Sequence, residues 1–253
     1  MFFIVGAQRS GTTYLYNVLN EHPEIEMAIP LKPEPKFFIK DNEYKKGKEY
    51  YYNKYFNRKE NKVFGEKSTS YFEYKKAAKR IKNTFPEAKI LISLRNPVDR
   101  AISNYFYTKN NSLEFRSINE VFIKEKKIPK KYVEKSNTSV SPFSYIERSK
   151  YSKFLDIYYK IFDIFRIKIL IMERFLGNQE RISSIYRFLD VRDDFVPSCL
   201  NKRINYSKKE NVDYEVYKKL GNLFYDDIIL TEKKYNLDLR IWRDRIDKYR
   251  DEK

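Results

Sequence analysis

The chain is poor in the residues that build disulfides, zinc sites and histidine-based catalysis. Its 253 residues include one cysteine, one histidine and one tryptophan. The single Cys199 excludes an intrachain disulfide, and no Cys/His cluster is present to hold zinc. His22 follows the first predicted helix and precedes Pro23, so we interpret it as structural. Because histidine is the commonest general base in enzymes, a base in this chain should instead be a carboxylate.

Long apolar runs are also missing. No stretch approaches the ~20 consecutive apolar residues of a transmembrane helix. The first apolar run begins at residue 2, so we expect no signal peptide. No Gly/Ser or Pro-rich linker and no internal repeat divides the chain. We therefore expect a single domain over residues 1–253, large enough for a full core, and a cytoplasmic location in keeping with the scarcity of cysteine.

Acidic residues are in the minority. The chain has 52 Lys and Arg against 35 Asp and Glu, and its net charge is +17. Such an excess favours a polyanionic partner, which a positive cleft would attract. Charge alone would also allow nucleic-acid binding, but no DNA- or RNA-binding motif supports it. We therefore expect an anionic substrate and no nucleic acid.

The first fifteen residues are the most informative part of the chain. Phe2–Val5 is typical of a short buried strand, residues 6–11 of a tight loop, and residues 12–20 of an amphipathic helix. A strand, a glycine-bearing loop and a helix N-terminus together form an anion site, because free backbone N–H groups and the positive end of the helix dipole meet there.

The loop departs from the nucleotide-hydrolysing P-loop. Gly6 and Gly11 have the P-loop spacing, but the second glycine should be followed by Lys and then by Ser or Thr for magnesium. Thr12 and Thr13 stand at these positions, and the cation comes earlier, at Arg9. The loop therefore suits a phosphate but not ATP with its metal.

A second strand and helix repeat this arrangement. Lys89–Leu94 is a continuous apolar run, as expected of a parallel strand buried on both faces. Arg95 follows at its tip, and Asn96 with Pro97 predicts the cap and first position of a helix. Ser103 lies about two turns further on. The Arg donor fork and the Ser hydroxyl suit a second phosphate.

Strands and helices alternate along the rest of the chain, which predicts an α/β fold. We expect a P-loop-like three-layer sandwich with a central, mainly parallel sheet flanked by helices and with ligands at the carboxyl ends of the strands. Further strands are predicted at 63–65 and 167–172. The predicted helices are 44–56, 74–84, 117–127, 142–165, 178–189 and 212–235.

Both phosphate motifs resemble those of sulfotransferases that use 3′-phosphoadenosine 5′-phosphosulfate (PAPS). The string Gln-Arg-Ser-Gly-Thr-Thr-Tyr-Leu at 8–15 is similar to the family's 5′-phosphosulfate loop, and the string at 94–105 is similar to its 3′-phosphate motif. The resemblance implies that the 5′-phosphosulfate is held by Arg9, Ser10, Gly11, Thr12 and Thr13. It implies that Arg95 and Ser103 hold the 3′-phosphate.

Two further segments resemble the heparan-sulfate-type members of that family. Glu-Pro-Lys-Phe-Phe at 34–38 resembles a segment whose Glu is the base, which implies that role for Glu34; Lys36 stands where those enzymes have His. The string from Val63 to Phe72 resembles a Glu-Lys-x-Pro-x-Tyr-Phe segment whose Lys reaches the sulfuryl group or acceptor. This implies a catalytic role for Lys67. The 5′-phosphosulfate loop implies one for Arg9, because the cation of that loop contacts the bridging oxygen and the sulfuryl group in the family.

One residue departs from the family's pattern, and two assignments stay open. Thr69 replaces the usual Pro. Glu66 is either a rival base or the partner of a neighbouring Lys. In the basic stretch 199–209, Lys202 and Arg203 either add to the 3′-phosphate site, as a basic loop does in the family, or form a solvated loop.

The sequence therefore predicts a metal-free, PAPS-dependent sulfotransferase with PAP as product. Its acceptor is expected to be a hydroxyl compound. The heparan-type segments favour a carbohydrate, for example an acidic glycan. The alternatives are a P-loop kinase for a small molecule, which would need ATP, magnesium and a loop Lys, and a non-catalytic nucleotide- or polyanion-binding protein. The sequence does not indicate an oligomeric state.

Overall fold

A computed structural model of the protein describes residues 1–57, 62–129, 132–133, 140–202 and 211–249. The chain packs as two compact units. The first comprises Met1–Arg95 and Asp156–Tyr206, and the second comprises Asn96–Leu155 and Ser207–Lys253. The single domain expected from the sequence stays a prediction.

A five-stranded parallel sheet forms the centre of the first unit. Its strands are β1 (Phe2–Gly6), β2 (Ile25–Met27), β3 (Val63–Lys67), β4 (Lys89–Leu94) and β5 (Ile167–Ile171), in the order β2-β3-β1-β4-β5. Each neighbouring pair is parallel. This confirms the predicted α/β fold with a central parallel sheet flanked by helices.

The helices of the first unit connect these strands. They are α1 (Thr12–Glu21), α2 (Asp41–Tyr44), α3 (Gly47–Tyr55), α4 (Lys75–Thr84), α8 (Met172–Phe175) and α9 (Gln179–Leu189), with 3₁₀ turns at Thr69–Glu73 and Ile164–Arg166. Helix α7 (Ser152–Tyr159) leads from the second unit into the first. The apolar faces of α1 and α9 pack with the side chains of β1 in one buried cluster.

Close packing fixes the middle of the sheet. Phe2 opens β1 with no exposed surface, and its ring lies over Gly65 of β3. A Cβ atom at residue 65 would lie 2.2 Å from the Phe2 ring, so only glycine fits there. Phe37, Phe38 and Tyr51 form an aromatic cluster with ring centroids 4.9–5.4 Å apart. This cluster holds the segment around residue 37 against the unit's core.

The second unit contains helices α5 (Pro97–Asn110), α6 (Ile118–Phe122), α10 (Tyr214–Tyr235) and α11 (Arg240–Asp247) and a 3₁₀ turn at Glu147–Ser149. Asn96 caps α5 as predicted, because its side chain accepts the N–H groups of Val98 and Asp99 at 3.0 and 3.4 Å. Trp242 of α11 is fully buried, and Arg245 pairs with the first-turn Asp99 at 2.9 Å. These contacts anchor the C-terminal helix to the start of α5.

Three helix predictions were wrong. The helix predicted over 142–165 is instead broken into a 3₁₀ turn, α7 and a second 3₁₀ turn. The one predicted over 117–127 ends at Phe122, and the one over 44–56 is divided between α2 and α3. The short strand β2 was not predicted, because three residues are too few to show a strand pattern.

The described residues lack two further features. They include no helix long and apolar enough to cross a membrane. They also include no group of three or more His, Cys, Asp or Glu side chains arranged to hold a metal ion.

Candidate active site

The loop between β1 and α1 is shaped as the sequence predicts. Gly11 precedes α1 with φ 77°, a left-handed conformation that suits glycine. A Cβ atom there would lie 3.0 Å from Met172 Cγ and 3.3 Å from Phe175 Cζ, so α8 closes one side of the loop. Thr12 and Thr13 begin the helix, whose first backbone N–H groups have no intrahelical acceptor. This end of α1 therefore presents donors to an anion.

Side chains and backbone from β4 hold the loop in place. The Ser93 hydroxyl donates to the Ser10 carbonyl, and the Ala7 N–H donates to the Ser93 carbonyl at 2.6 Å. Arg95 Nη1 lies 3.4 Å from the Arg9 carbonyl oxygen. The structure thus brings the two predicted phosphate-binding arginines to the same loop.

Ser10 carries a polar atom that the surrounding protein leaves without a hydrogen bond. Its side chain is fully buried, and within the described part of the chain its hydroxyl oxygen has no hydrogen-bond partner. Buried hydroxyls normally find a partner. A phosphate or sulfate oxygen in the loop would supply one.

The sheet register places the other predicted residues at the same edge. β1 lies between β3 and β4, with Lys67 beside Ile4 and Ile92 beside Gly6. The Ser68 N–H continues the ladder by donating to the Ile4 carbonyl at 3.1 Å. Since all three strands are parallel, the segments that follow them leave the sheet at one edge, where ligands of such sheets bind.

Glu34 and Lys67 form an ion pair at that edge. Lys67 Nζ lies 2.5 Å from Glu34 Oε1, and the Lys67 side chain is 4% exposed against 15% for Glu34. Thr69 adds two donors: its N–H lies 2.9 Å from Oε2, and its hydroxyl lies 3.0 Å from both carboxylate oxygens. The carboxylate is thus fixed in position, and the Glu34 side chain remains partly exposed.

A second set of contacts fastens the segment that carries Glu34. The Lys36 N–H donates to the Ser68 hydroxyl at 2.9 Å, and the Phe38 N–H donates to the Tyr71 hydroxyl at 3.2 Å. Lys36 itself has φ 53°, which turns the chain there. The two segments that sequence reasoning singled out separately therefore form one structure.

Glu66 lies beneath these contacts and has no exposed surface. It accepts hydrogen bonds from the Ser68 hydroxyl at 2.6 Å and the Tyr51 hydroxyl at 2.7 Å. Burial raises the pKa of Glu66 to about 7, although its hydrogen bonds with Ser68, Tyr51 and Tyr71 act to lower it. The contacts described for Glu66 are thus with hydroxyl groups. Of the two alternatives for Glu66, the ion pair with a neighbouring lysine does not occur among the described residues, where Lys67 pairs with Glu34.

His22 lies away from these groups and is fully enclosed. Its Nδ1 accepts the Glu24 N–H at 3.1 Å, so its Nε2 is the protonated nitrogen and donates to the Arg192 carbonyl at 2.8 Å. Its ring packs on Tyr186 and Phe195. Both nitrogens are engaged, as our structural interpretation of His22 requires.

Comparison with known proteins identifies the family. The family model described as Sulfotransferase domain matches residues 1–222. The chain belongs to the sulfotransferase family.

Solved and curated relatives agree with this assignment. A sulfotransferase from Alicyclobacillus acidocaldarius superimposes with a TM-score of 0.79 at 27% identity, covering 96% of this chain and 98% of that one. Heparan sulfate glucosamine 3-O-sulfotransferase 5 of Mus musculus is 27% identical over 246 residues, or 88% of this chain and 68% of that protein.

Other relatives are more similar over shorter stretches. The bifunctional heparan sulfate N-deacetylase/N-sulfotransferase 1 of Caenorhabditis briggsae is 39% identical over 102 residues, and human heparan sulfate glucosamine 3-O-sulfotransferase 6 is 36% identical over 105. These matches cover 40% and 42% of this chain but only 12% and 29% of the two relatives.

The remaining predicted residues of the sulfotransferase lie in three places. Ser103 is buried on α5 in the second unit, whereas Arg95 belongs to the first. Lys202 is exposed, and its N–H donates to the Cys199 carbonyl at 3.0 Å. Arg203 lies outside the described residues. The predicted roles of these four residues stay predictions.

Sequence reasoning did not single out two residues of this site. Thr69 was noted only as a replacement for Pro, yet it supplies Glu34 with an N–H donor that proline lacks. Tyr51 lies in a tyrosine-rich helix where nothing distinguishes it from its neighbours.

Proposed function

We propose that this sulfotransferase transfers the sulfuryl group of PAPS to a hydroxyl of an acceptor, and that the acceptor is a carbohydrate. The observation that carries the proposal is the Glu34–Lys67 pair at the sheet edge from which the Arg9 loop also leaves. The curated relatives named as heparan sulfate sulfotransferases favour a glycan, and the excess of Lys and Arg suits an acidic one.

The loop residues fit the 5′ end of PAPS. Ser10 offers a buried hydroxyl that lacks a partner among the described side chains and backbone groups, and Gly11 leaves space that a Cβ atom would take. Thr12 and Thr13 add donors at the start of α1. Arg9, with Arg95 held against its carbonyl group, supplies positive charge. When bound, PAPS supplies an activated sulfuryl group with a phosphate as leaving group.

Glu34 is the base in this proposal. Its carboxylate is oriented by Lys67 and Thr69, and its side chain is partly exposed, so an acceptor hydroxyl could approach it and give up a proton to it. Lys67 and Arg9 offset the negative charge on the transferred group and on the leaving oxygen. Glu66 is less suitable as a base, because it is enclosed by hydroxyl groups and has no exposed surface.

Ligand binding tests the donor. Thermal-shift measurements with PAP, AMP, adenosine 5′-phosphosulfate and Mg-ATP should show preferential stabilisation by PAP, since only PAP carries the 3′-phosphate. Arg95→Ala should weaken that response. Stabilisation by Mg-ATP together with indifference to PAP would reject PAPS as the donor and favour a kinase.

Turnover tests the base. With radiolabelled PAPS and a panel of glycans, Glu34→Gln should lower kcat by about 100- to 10,000-fold, the range for loss of a general base. Glu180→Gln is the matched control, because Glu180 is exposed on α9. Near-normal turnover by Glu34→Gln would contradict the assignment, and PAP binding without any transfer would indicate a non-catalytic nucleotide-binding protein.

A further inference from the structure

The buried Glu66 carboxylate joins hydroxyl groups from two different elements. Tyr51 of α3 donates to Oε2 at 2.7 Å, and Ser68 donates to Oε1 at 2.6 Å. The Tyr71 hydroxyl makes a further hydrogen bond to the same carboxyl group. An ionised carboxylate only accepts, so each hydroxyl proton points towards Glu66.

Two of these hydroxyls have a second task. Because the single protons of Ser68 and Tyr71 face Glu66, their lone pairs are left for other donors. Those donors are the N–H groups of Lys36 and Phe38, at 2.9 and 3.2 Å. Tyr51 differs in this respect, since among the described residues its hydroxyl is hydrogen-bonded to Glu66 alone.

The two backbone contacts lie two and four residues after Glu34. They hold the chain where it turns at Lys36, and Pro35 limits the freedom of the residue between. Fixing this short segment fixes the place at which the Glu34 side chain leaves the backbone, opposite Lys67.

We propose that Glu66 is a positioning residue, which orients the Ser68 and Tyr71 hydroxyls so that they hold the Glu34 segment against Lys67. The proposal rests on the function proposed above only in its effect on turnover. Its structural part, the fastening of residues 34–38 through Glu66, is independent of which donor the enzyme uses.

Protonation of Glu66 should weaken this arrangement. Its pKa of about 7 is raised mainly by burial, and the negative charge of Glu34 adds to the rise. The other groups that face it are Tyr51, Tyr55 and Tyr71, whose pKa values burial raises, so they stay protonated near neutrality. A protonated Glu66 would donate a hydrogen bond to one of these hydroxyls. That hydroxyl could then no longer donate its own proton to Glu66 and would turn it elsewhere.

Kinetics of Glu66→Gln test the role. We expect kcat to fall by about 10- to 100-fold, the scale for a misplaced catalytic group, while KM for PAPS changes little. The wild-type kcat should rise through pH 7, and this inflection should be absent from the variant. Unchanged kcat and an unchanged pH profile would overturn the proposal.

A matched pair of variants separates positioning from simple stability. Ser68→Ala and Tyr51→Phe each remove one hydroxyl from Glu66, but only Ser68→Ala also releases the Lys36 N–H. Ser68→Ala should therefore lower kcat clearly more than Tyr51→Phe does, and it should speed hydrogen–deuterium exchange in residues 34–38. Equal effects of the two variants on kcat and exchange would reject the proposal, even if Glu66→Gln fails to fold.

The same experiment distinguishes the two proposals. If Glu34→Gln retains turnover, the base assignment fails, and the exchange data still decide the role of Glu66. If Glu34→Gln loses turnover while Ser68→Ala and Glu66→Gln behave as wild type, the base stands and the positioning role fails.

Discussion

The stability of the Glu66→Gln variant relative to wild type should increase from acidic to alkaline pH. The Glu66 carboxyl is fully buried, and its pKa rises from 4.5 to about 7 on folding. A raised pKa means that the folded state holds the proton more tightly than the unfolded chain. The associated stability is complete below pH 4.5 and is lost as the pH rises through 7. Glutamine cannot ionise, so the variant lacks this loss.

The size of the effect follows from the pKa difference. Each pKa unit corresponds to about 1.4 kcal/mol, so the shift amounts to about 3 kcal/mol over the whole window. Between pH 5 and pH 8, about 2–3 kcal/mol of this should be observed. For a chain of this size, that is about 5–10 °C in Tm.

Thermal unfolding at several pH values is the suitable assay. Tm would be measured from pH 5 to pH 8 for wild type and Glu66→Gln in the same buffers, and the difference between the two curves would be taken at each pH. Titration of every other group is common to both proteins and cancels. Glu180→Gln, at an exposed position, should follow the wild-type curve throughout.

A constant Tm difference between wild type and Glu66→Gln across this range would refute the reasoning. It would mean that the Glu66 carboxyl does not change its protonation near pH 7 in the folded protein. The pH-dependent part of the positioning proposal would then fail as well, whereas the hydrogen-bond geometry would not be affected.

Three further substitutions test the packing. Gly65→Ala should lower the free energy of unfolding by about 3 kcal/mol or prevent folding, because the added Cβ would lie 2.2 Å from the Phe2 ring. A Tm within about 2 °C of wild type would contradict this. Gly11→Ala should weaken the thermal stabilisation by PAP, because the added Cβ would crowd the loop. Gly47→Ala is the control, since Gly47 has a similar φ but open space around it. Equal losses of PAP stabilisation in the two variants would show that backbone strain alone causes the loss. Trp242→Ala should lower the free energy of unfolding by about 3–5 kcal/mol, measured by urea denaturation, and an unchanged midpoint would refute its role as an anchor.

Local patterns were enough to predict the main elements of the sheet. The strand at Lys89–Leu94 was predicted with its observed bounds, because a continuous apolar run ending at a capping Asn-Pro pair is a strong signal. The single helix predicted over 142–165 was wrong, because apolar residues at helical spacing do not show where a helix ends and the chain turns. Tyr158 and Phe162 satisfy that spacing and are both buried, yet α7 ends at Tyr159.

The candidate site was predictable in its parts but not in its connections. Arg9, Glu34 and Lys67 were each singled out from a motif, and the structure places Glu34 and Lys67 in contact. The roles of Tyr51 and Ser68 depend on hydrogen bonds between residues 15 and 32 positions apart. A single sequence does not reveal such pairs, because it does not distinguish a hydroxyl residue that makes a long-range hydrogen bond from one that does not.

The contacts of Glu34 also bear on how the protein folds. Its partners Lys67 and Thr69 follow it by 33 and 35 positions in the chain. The contact between Arg9 and Arg95 closes a loop of 86 positions. Closing such loops costs chain entropy before any contact is gained, which slows folding. During synthesis the anion loop can leave the ribosome long before the residues that complete the site beside it. We therefore expect Glu34 and Lys67 to come together only after β1 and β3 have paired.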